Sequence, residues 1–255
     1  RDRSPSRGLG DVYKRQGSSN LDKITVKPEL LKRFSLFENL CDEDLDLLCS
    51  HAKVERFARR GILLQPGANE NMVCMVFEGR LQAIDFTIDG KEVGLYFVES
   101  NDYCGELAVF DHGFQPEYVI ALKPSLVVLV KALALREVAT RNPDIVLQLG
   151  KKLARRIKQM TAQRSLLSVP NVTQRVCNQL LQLVPGQHTE SVRVEITNLP
   201  THMEIAIMLN LSRETITRVF QHLQRKQIVS RSGPNSLVIN KATLLKKIAD
   251  GSEKL

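Results

Sequence analysis

The amino-acid sequence predicts an α+β protein with three parts: an N-terminal antiparallel β-barrel of the jelly-roll type, one long dimerisation helix, and a C-terminal winged helix-turn-helix. Three observations support this fold class. Turn residues recur about every ten positions between Val54 and Val130, which is typical of an antiparallel sandwich or barrel. Apolar residues follow a helical period from Pro143 to Leu167. Two closely spaced helices after Thr201 precede a final hairpin.

Pairs of turn-forming residues divide the β-rich region into short strands. The clearest pair is Asp89-Gly90, which separates the runs Leu81–Ile88 and Glu92–Val98 and predicts a hairpin. Similar pairs occur at Arg60-Gly61, Pro66-Gly67, Glu78-Gly79 and Asn101-Asp102. Leucine and phenylalanine at helical spacing in residues 28–51 predict short helices that cover one end of this domain.

The long helix carries a narrow apolar seam whose members are three or four residues apart: Val146, Leu149, Leu153, Ile157 and Met160. One interpretation is a helix packed on its own sheet. We favour the other, a seam between two copies of the chain, because the apolar strip is narrow and its flanks are charged. The sequence therefore predicts a homodimer.

These patterns divide the chain into four segments. Residues 1–20 are expected to be a disordered, non-native tail, because the start of the chain is polar, has no period and resembles translated adaptor sequence. A natural basic arm is the alternative. Residues 21–134 form the β domain, residues 135–169 the dimerisation helix, and residues 170–250 the winged helix-turn-helix.

The helix-turn-helix is predicted from local capping signals. Thr201 and Glu204 form a capping box at the first helix, Asn210 suits the turn, and Ser212 caps the second helix. The outward face of the second helix then carries Arg213, Glu214, Thr217 and Arg218.

These side chains suit the reading of DNA bases. Arginine pairs with the O6 and N7 atoms of guanine in the major groove, which favours Arg213 and Arg218 as base readers. Glu214 can accept a hydrogen bond from the amino group of cytosine. Ser212 and Thr215, at the start of the helix, are expected to bind a backbone phosphate. A surface salt-bridge cluster is the alternative interpretation.

Charge and composition agree with a nucleic-acid partner. The chain has a net charge of +8, and residues 170–255 hold eleven Lys/Arg against six Asp/Glu. No apolar run approaches the roughly 20 residues of a membrane-spanning helix, and no secretory signal is visible. Five cysteines without a CxxC pair argue against a disulfide framework and a zinc site, so we expect no metal and a cytoplasmic location. The absence of known catalytic motifs predicts that the protein is not an enzyme.

Two motifs resemble those of a known family. Residues 212–218 match the pattern S-R-E-T-[V/I]-x-R, and residues 101–107 resemble a phosphate-binding cassette usually written G-D-x-x-G-E-L. The chain thus resembles the cyclic-AMP receptor protein and fumarate–nitrate regulator (Crp/Fnr) family over residues 28–245. The resemblance implies a cyclic-nucleotide-binding-like effector domain, a wing near residues 230–239, and a homodimer that binds palindromic DNA with TGTGA-type half-sites. It further implies RNA polymerase as a partner.

The resemblance also implies an effector pocket, formed by Gly105, Glu106 and Leu107 of the cassette and by Met160 and Thr161 of the long helix. In this pocket the sequence departs from the family. Binders of cyclic nucleotides carry an arginine where this chain has residues 115–118, and no Lys or Arg occurs between Glu106 and Lys123. Because a buried phosphate needs a charged partner, the missing arginine argues against cyclic AMP.

The identity of the effector therefore stays open. An iron–sulfur centre is disfavoured, since only Cys41 and Cys49 lie near the N-terminus. Haem held by His51, His112, Cys74 or Cys104, redox sensing by Cys104, another anionic effector, and no effector at all are the alternatives. A cyclic-nucleotide module without a DNA role is a competing function, which the recognition helix disfavours.

Overall fold

The computed structural model describes residues 25–67, 71–111, 115–184 and 193–255. The predicted tail and His112 lie outside these ranges. Within them, no helix is long and apolar enough to cross a membrane. The same residues contain no group of three or more metal-ligating side chains.

The N-terminal domain is a sandwich of two antiparallel four-stranded sheets, which confirms the predicted β architecture. The first sheet has the order β1-β8-β3-β6 and the second the order β2-β7-β4-β5. The strands are β1 (Ala52–Phe57), β2 (Ile62–Leu64), β3 (Met72–Glu78), β4 (Arg80–Phe86), β5 (Glu92–Glu99), β6 (Tyr103–Cys104), β7 (Tyr118–Ala121) and β8 (Ser125–Lys131). The hairpin predicted at Asp89-Gly90 joins β4 to β5, and Gly90 has the positive φ of 74° that this turn needs.

Short helices cover the outer face of the first sheet. They are α1 (Pro28–Leu31), α2 (Asp42–Ser50), α3 (Leu107–Phe110) and α4 (Ala132–Arg141). Their leucine and alanine side chains, together with Phe34 and Phe37 from the segment between α1 and α2, form one core with alternate residues of the strands beneath. The intervening residues of these strands, such as Cys74 and Val76, point to the other face and fill the space between the two sheets.

The long helix is α5 (Pro143–Leu167). Residues 135–141, which the sequence analysis assigned to it, belong to α4 and pack in the N-terminal core. Leu149 also lies in that core and is fully buried, so it does not belong to the exposed seam. Leu153 is half-buried.

The C-terminal domain contains α6 (Val172–Gln182), β9 (Val194–Ile196), α7 (His202–Leu209), α8 (Arg213–Arg225), β10 (Val229–Gly233), β11 (Ser236–Ile239) and α9 (Ala242–Asp250). The three strands form a small sheet of order β10-β11-β9, in which β10 and β11 are the wing. The Thr201–Glu204 capping box is present, and Asn210 adopts the left-handed conformation with φ 49°. Both features confirm the predicted turn between α7 and α8.

Candidate DNA interface and effector pocket

Helix α8 presents the predicted base readers on its outer surface. Ser212 caps the helix by accepting a hydrogen bond from the Thr215 amide at 3.2 Å. The apolar positions Ile216, Val219, Phe220 and Leu223 face the domain core. Because the helical period places the motif residues on the opposite side, Arg213, Glu214 and Arg218 are all exposed.

The first turn of α8 carries a chain of hydroxyl contacts. The Ser212 and Thr215 oxygens lie 2.9 Å apart, and the Arg218 guanidinium donates to Thr215 Oγ1 at 3.4 Å. Ser212, Thr215 and Arg218 thus lie near the surface and form these hydrogen bonds with one another. A DNA phosphate at this helix start would compete with weak local bonds only, which suits the phosphate role predicted for Ser212 and Thr215.

Thr217 has a different environment from the other motif residues. Its hydroxyl donates to the Arg213 carbonyl at 2.9 Å and lies 2.9 Å from Nδ1 of His202. The imidazole also packs against the Phe220 ring, with ring centroids 4.6 Å apart and an angle of 45° between the ring planes. Burial, together with nearby Arg231 and Arg213, lowers the pKa of His202. His202 thus ties α7 to α8 through Thr217, which makes Thr217 a structural link between the two helices.

The effector cassette has the tight backbone that its glycine requires. Gly105 has φ +83°, and a Cβ atom there would lie 2.5 Å from the Met72 carbonyl oxygen. Gln115 Nε2 donates to the Gly105 carbonyl at 3.4 Å. Residues 115–118 therefore lie against the cassette, where the sequence analysis expected them.

The positive charge of the pocket comes from the long helix. Arg156 of α5 is buried, and its Nε atom lies 3.6 Å from Oε1 of the buried Glu106. Its guanidinium stacks 3.3 Å above the centroid of the Tyr96 ring. The Tyr96 hydroxyl in turn donates to Glu117, and burial raises the pKa of the Glu117 carboxyl.

This arrangement is poor for a phosphate. Arg156 is already shared between Glu106 and Tyr96, and Glu117 brings a second carboxyl group to the site. The Arg156–Glu106 distance is too long for a hydrogen bond, and among the described residues neither Glu106 Oε2 nor Arg156 Nη2 has a hydrogen-bond partner. Arg156 Nε is unpartnered in the same sense, so this site retains one free acceptor, Glu106 Oε2, and two free donor atoms, Nε and Nη2 of Arg156. Of the other predicted pocket residues, Leu107, Met160 and Thr161 are exposed.

Comparisons with known proteins agree with both halves of this architecture. Residues 174–248 match the model of the Crp-like helix-turn-helix domain, and residues 54–142 match that of the cyclic nucleotide-binding domain. The chain belongs to the Crp/Fnr family. It is therefore a Crp-like transcription regulator with a DNA-binding helix-turn-helix and a cyclic-nucleotide-type domain.

Individual relatives of this Crp/Fnr chain are distant. The cAMP-activated global transcriptional regulator CRP of Pasteurella multocida is 26% identical over 202 residues, which cover 77% of this chain and 95% of the relative. Among solved structures, FixK2 from Bradyrhizobium japonicum has a TM-score of 0.64 at 19% identity and covers 77% of this chain and 96% of its own. A CooA mutant from Carboxydothermus hydrogenoformans has a TM-score of 0.65 at 18% identity, with coverages of 78% and 88%.

The haem and redox candidates of this Crp/Fnr regulator do not share one surface. His51 is exposed at the end of α2, where Nδ1 lies 3.1 Å from the Leu47 carbonyl oxygen. Cys74 and Cys104 are opposite each other on β3 and β6 and are fully buried between the sheets. The hydrogen bond between the two thiols, followed by burial, raises the pKa of Cys104 well above its usual value. A thiolate ligand or a rapidly oxidised thiol is disfavoured in such a setting.

Sequence reasoning missed Arg156, Tyr96 and His202. Arg156 was taken as a charged residue beside the apolar seam, whereas the structure buries it on the inner face of α5. A usable signal was its spacing from two inward residues, since Leu149 and Lys152 precede it by seven and four positions. No local signal marks Tyr96 or His202, because their partners are far away in sequence.

Proposed function

We propose that this regulator binds, as a homodimer, a palindromic DNA site with TGTGA-type half-sites. The observation that carries the proposal is the common exposure of Arg213, Glu214 and Arg218 on one face of a well-capped helix. Two bidentate arginines and one carboxylate read a specific base pattern and do more than neutralise phosphate. The location would be the cytoplasm and RNA polymerase the further partner, on the strength of the family resemblance.

The homodimer is supported by an apolar strip on α5 that the protomer leaves uncovered. The exposed fraction of the residue surface is 42% for Val146, 65% for Ile157 and 41% for Met160. The neighbouring Leu147 is exposed as well. A two-fold pair of such helices buries the strip against itself and places two recognition helices on two half-sites. The seam so defined keeps four of the predicted residues, Val146, Leu153, Ile157 and Met160, without Leu149.

The effector is proposed to be something other than cyclic AMP, bound in the pocket around Glu106 and Arg156. A relative from Pasteurella multocida is named as cAMP-activated, which makes cyclic AMP the alternative to exclude. The argument against it is that two carboxyl groups lie at this site: Glu106 is paired with Arg156, and Glu117 accepts a hydrogen bond from Tyr96, the ring that Arg156 covers. A ligand that offers a donor to Glu106 Oε2 and acceptors to Nε and Nη2 of Arg156 fits the three atoms that lack a hydrogen-bond partner among the described residues.

Fluorescence anisotropy tests both parts of the proposal. The purified protein is titrated into a labelled TGTGA palindrome and into a scrambled duplex of equal length at about 0.15 M salt, because affinity depends steeply on salt. We expect the palindrome to bind about a thousandfold more tightly, and we expect added cyclic AMP to leave both affinities unchanged. Equal affinity for the two duplexes would refute sequence-specific binding. A rise in affinity with cyclic AMP would refute the effector part alone.

A further inference from the structure

Thr217 lies in the middle of the face of α8 that carries the base readers, yet its hydroxyl is turned toward the protein. Its neighbours on this face are Arg213 and Glu214 on the preceding turn and Arg218 beside it, and all three are exposed. Thr217 itself is half-buried. A base pair opposite this position would meet Thr217 directly, so the group that the side chain presents to it matters for recognition.

Two contacts hold the Thr217 hydroxyl. It donates to the Arg213 carbonyl, one turn earlier in α8, at 2.9 Å. It also lies 2.9 Å from Nδ1 of His202, which belongs to α7. Because the hydroxyl uses its single hydrogen for the carbonyl, its oxygen must accept the second bond, so Nδ1 of His202 carries the hydrogen and donates.

The surroundings of His202 fix the ring in this orientation. The ring packs against Phe220 of α8, and the helix turn that carries it is held by the capping box of Thr201 and Glu204. Nε2 is buried and has no hydrogen-bond partner among the described residues. Among these residues the imidazole therefore makes its polar contact through Nδ1, and that contact is with Thr217.

The held hydroxyl leaves the methyl group as the part of Thr217 that a base can contact. A free threonine hydroxyl donates and accepts, so it can bond to several different base edges. The methyl group is more selective, because the C5 methyl of thymine is the apolar group that the bases present in the major groove. The bond from His202 thus turns an ambiguous contact into one that favours thymine.

We propose that Thr217 reads a thymine of each half-site through its methyl group, and that His202 is a positioning residue that keeps the hydroxyl away from the bases. This adds an apolar reader to the polar readers Arg213, Glu214 and Arg218. The reading role rests on the proposed function, since it needs α8 in the major groove. The contact between His202 and Thr217 does not.

Replacement of thymine by uracil tests the methyl contact, because the two bases differ only in the C5 methyl group. Each thymine of the TGTGA palindrome is replaced in turn by deoxyuridine, at the same position of both half-sites, and anisotropy measures the affinity. We expect wild type to lose about fourfold per half-site at one of these positions, which corresponds to one buried methyl group. A wild-type protein that binds every uracil duplex as tightly as the thymine duplex would overturn the proposal.

Two conservative substitutions separate the methyl group of Thr217 from its hydroxyl. Thr217→Ser keeps the hydroxyl and lacks the methyl group, so it should bind the thymine and uracil duplexes equally. Thr217→Val keeps the methyl group and lacks the hydroxyl, so it should retain the fourfold loss of wild type. A loss that persists in Thr217→Ser, or that disappears in Thr217→Val, would overturn the proposal.

His202→Phe tests the positioning role. It keeps an aromatic ring against Phe220 and removes the Nδ1 donor. The released hydroxyl oxygen can then accept from the amino group of cytosine, so we expect the preference for thymine over cytosine at the position found above to fall by about three- to tenfold. Base preferences elsewhere in the half-site should not change. A uniform loss of affinity with unchanged preferences would show that His202 does not position the reader.

Nitrogen NMR of the free protein examines the contact without DNA. We expect Nδ1 of His202 to carry a hydrogen in wild type, and this signal to change in Thr217→Val, which removes the acceptor. A hydrogen on Nε2 alone would show that His202 does not hold the hydroxyl in solution. If Nδ1 carries the hydrogen but wild type does not prefer the palindrome, the contact stands, and the proposed function fails together with the reading role.

Discussion

Replacement of Arg218 by alanine is expected to weaken binding to the TGTGA palindrome by about 1–3 kcal/mol, or roughly 5- to 150-fold. The side chain is exposed, and its only hydrogen bond to another described residue is a 3.4 Å contact with Thr215. The substitution should therefore remove the proposed base contact without disturbing the fold. Anisotropy titrations against palindromes changed at single base pairs measure the effect, and discrimination at one base pair of each half-site should be lost.

Arg225 provides a matched control for this substitution. It is exposed on the last turn of the same helix and lies outside the S-R-E-T motif. Arg225→Ala removes the same charge and should leave the base preference unchanged. If Arg218→Ala weakened the palindrome and the scrambled duplex equally, Arg218 would be a phosphate contact and its role as a base reader would be wrong.

Replacement of Ile157 by glutamate is expected to separate the dimer and to lower affinity for the palindrome by more than about 100-fold. Ile157 is the most exposed residue of the α5 strip, so the protomer should fold normally. In a two-fold dimer the new carboxylates would face each other across an apolar seam, where an unpaired charge is strongly destabilising. A single half-site contact also loses the gain from simultaneous binding of two half-sites. Light scattering measures the mass, and anisotropy measures the affinity.

Lys158→Glu serves as the control for the dimer experiment. It introduces the same carboxylate one residue further along α5, on the charged flank of the strip. This variant should remain dimeric. An Ile157→Glu protein that retains dimer mass would show that two copies do not meet along this strip.

The helix-turn-helix could be predicted from sequence because its determinants are local. The capping box at Thr201 and Glu204, the left-handed Asn210 and the cap at Ser212 each involve residues at most three positions apart. The alternation of the strands and the hairpin at Gly90 are local in the same sense. Such signals depend little on the rest of the chain.

The effector pocket and the seam could not be predicted fully, because both depend on which face of α5 is turned inward. The inward face contains Lys152 and Arg156, which polarity alone would place in water. Their burial is compensated by Asp102 and Glu106, about fifty residues earlier in the chain. The same rotation of the helix buries Leu149 and exposes Ile157. The spacing of apolar residues along the sequence does not distinguish these two positions. The polar Gln82 of β4 is fully buried where Met208 of α7 approaches Gly94, and this contact between two domains has no local sequence pattern that predicts it.

Selection of binding sites from a library of random duplex DNA tests the central claim most directly. The wild-type protein is incubated with the library at about 0.15 M salt, and the retained fragments are sequenced after several rounds. The proposed homodimer and its three base readers predict one enriched motif, two-fold symmetric, with TGTGA-type half-sites about one helical turn apart. Retained DNA with no enriched motif, or with a single asymmetric site, would contradict a dimer that reads sequence through Arg213, Glu214 and Arg218.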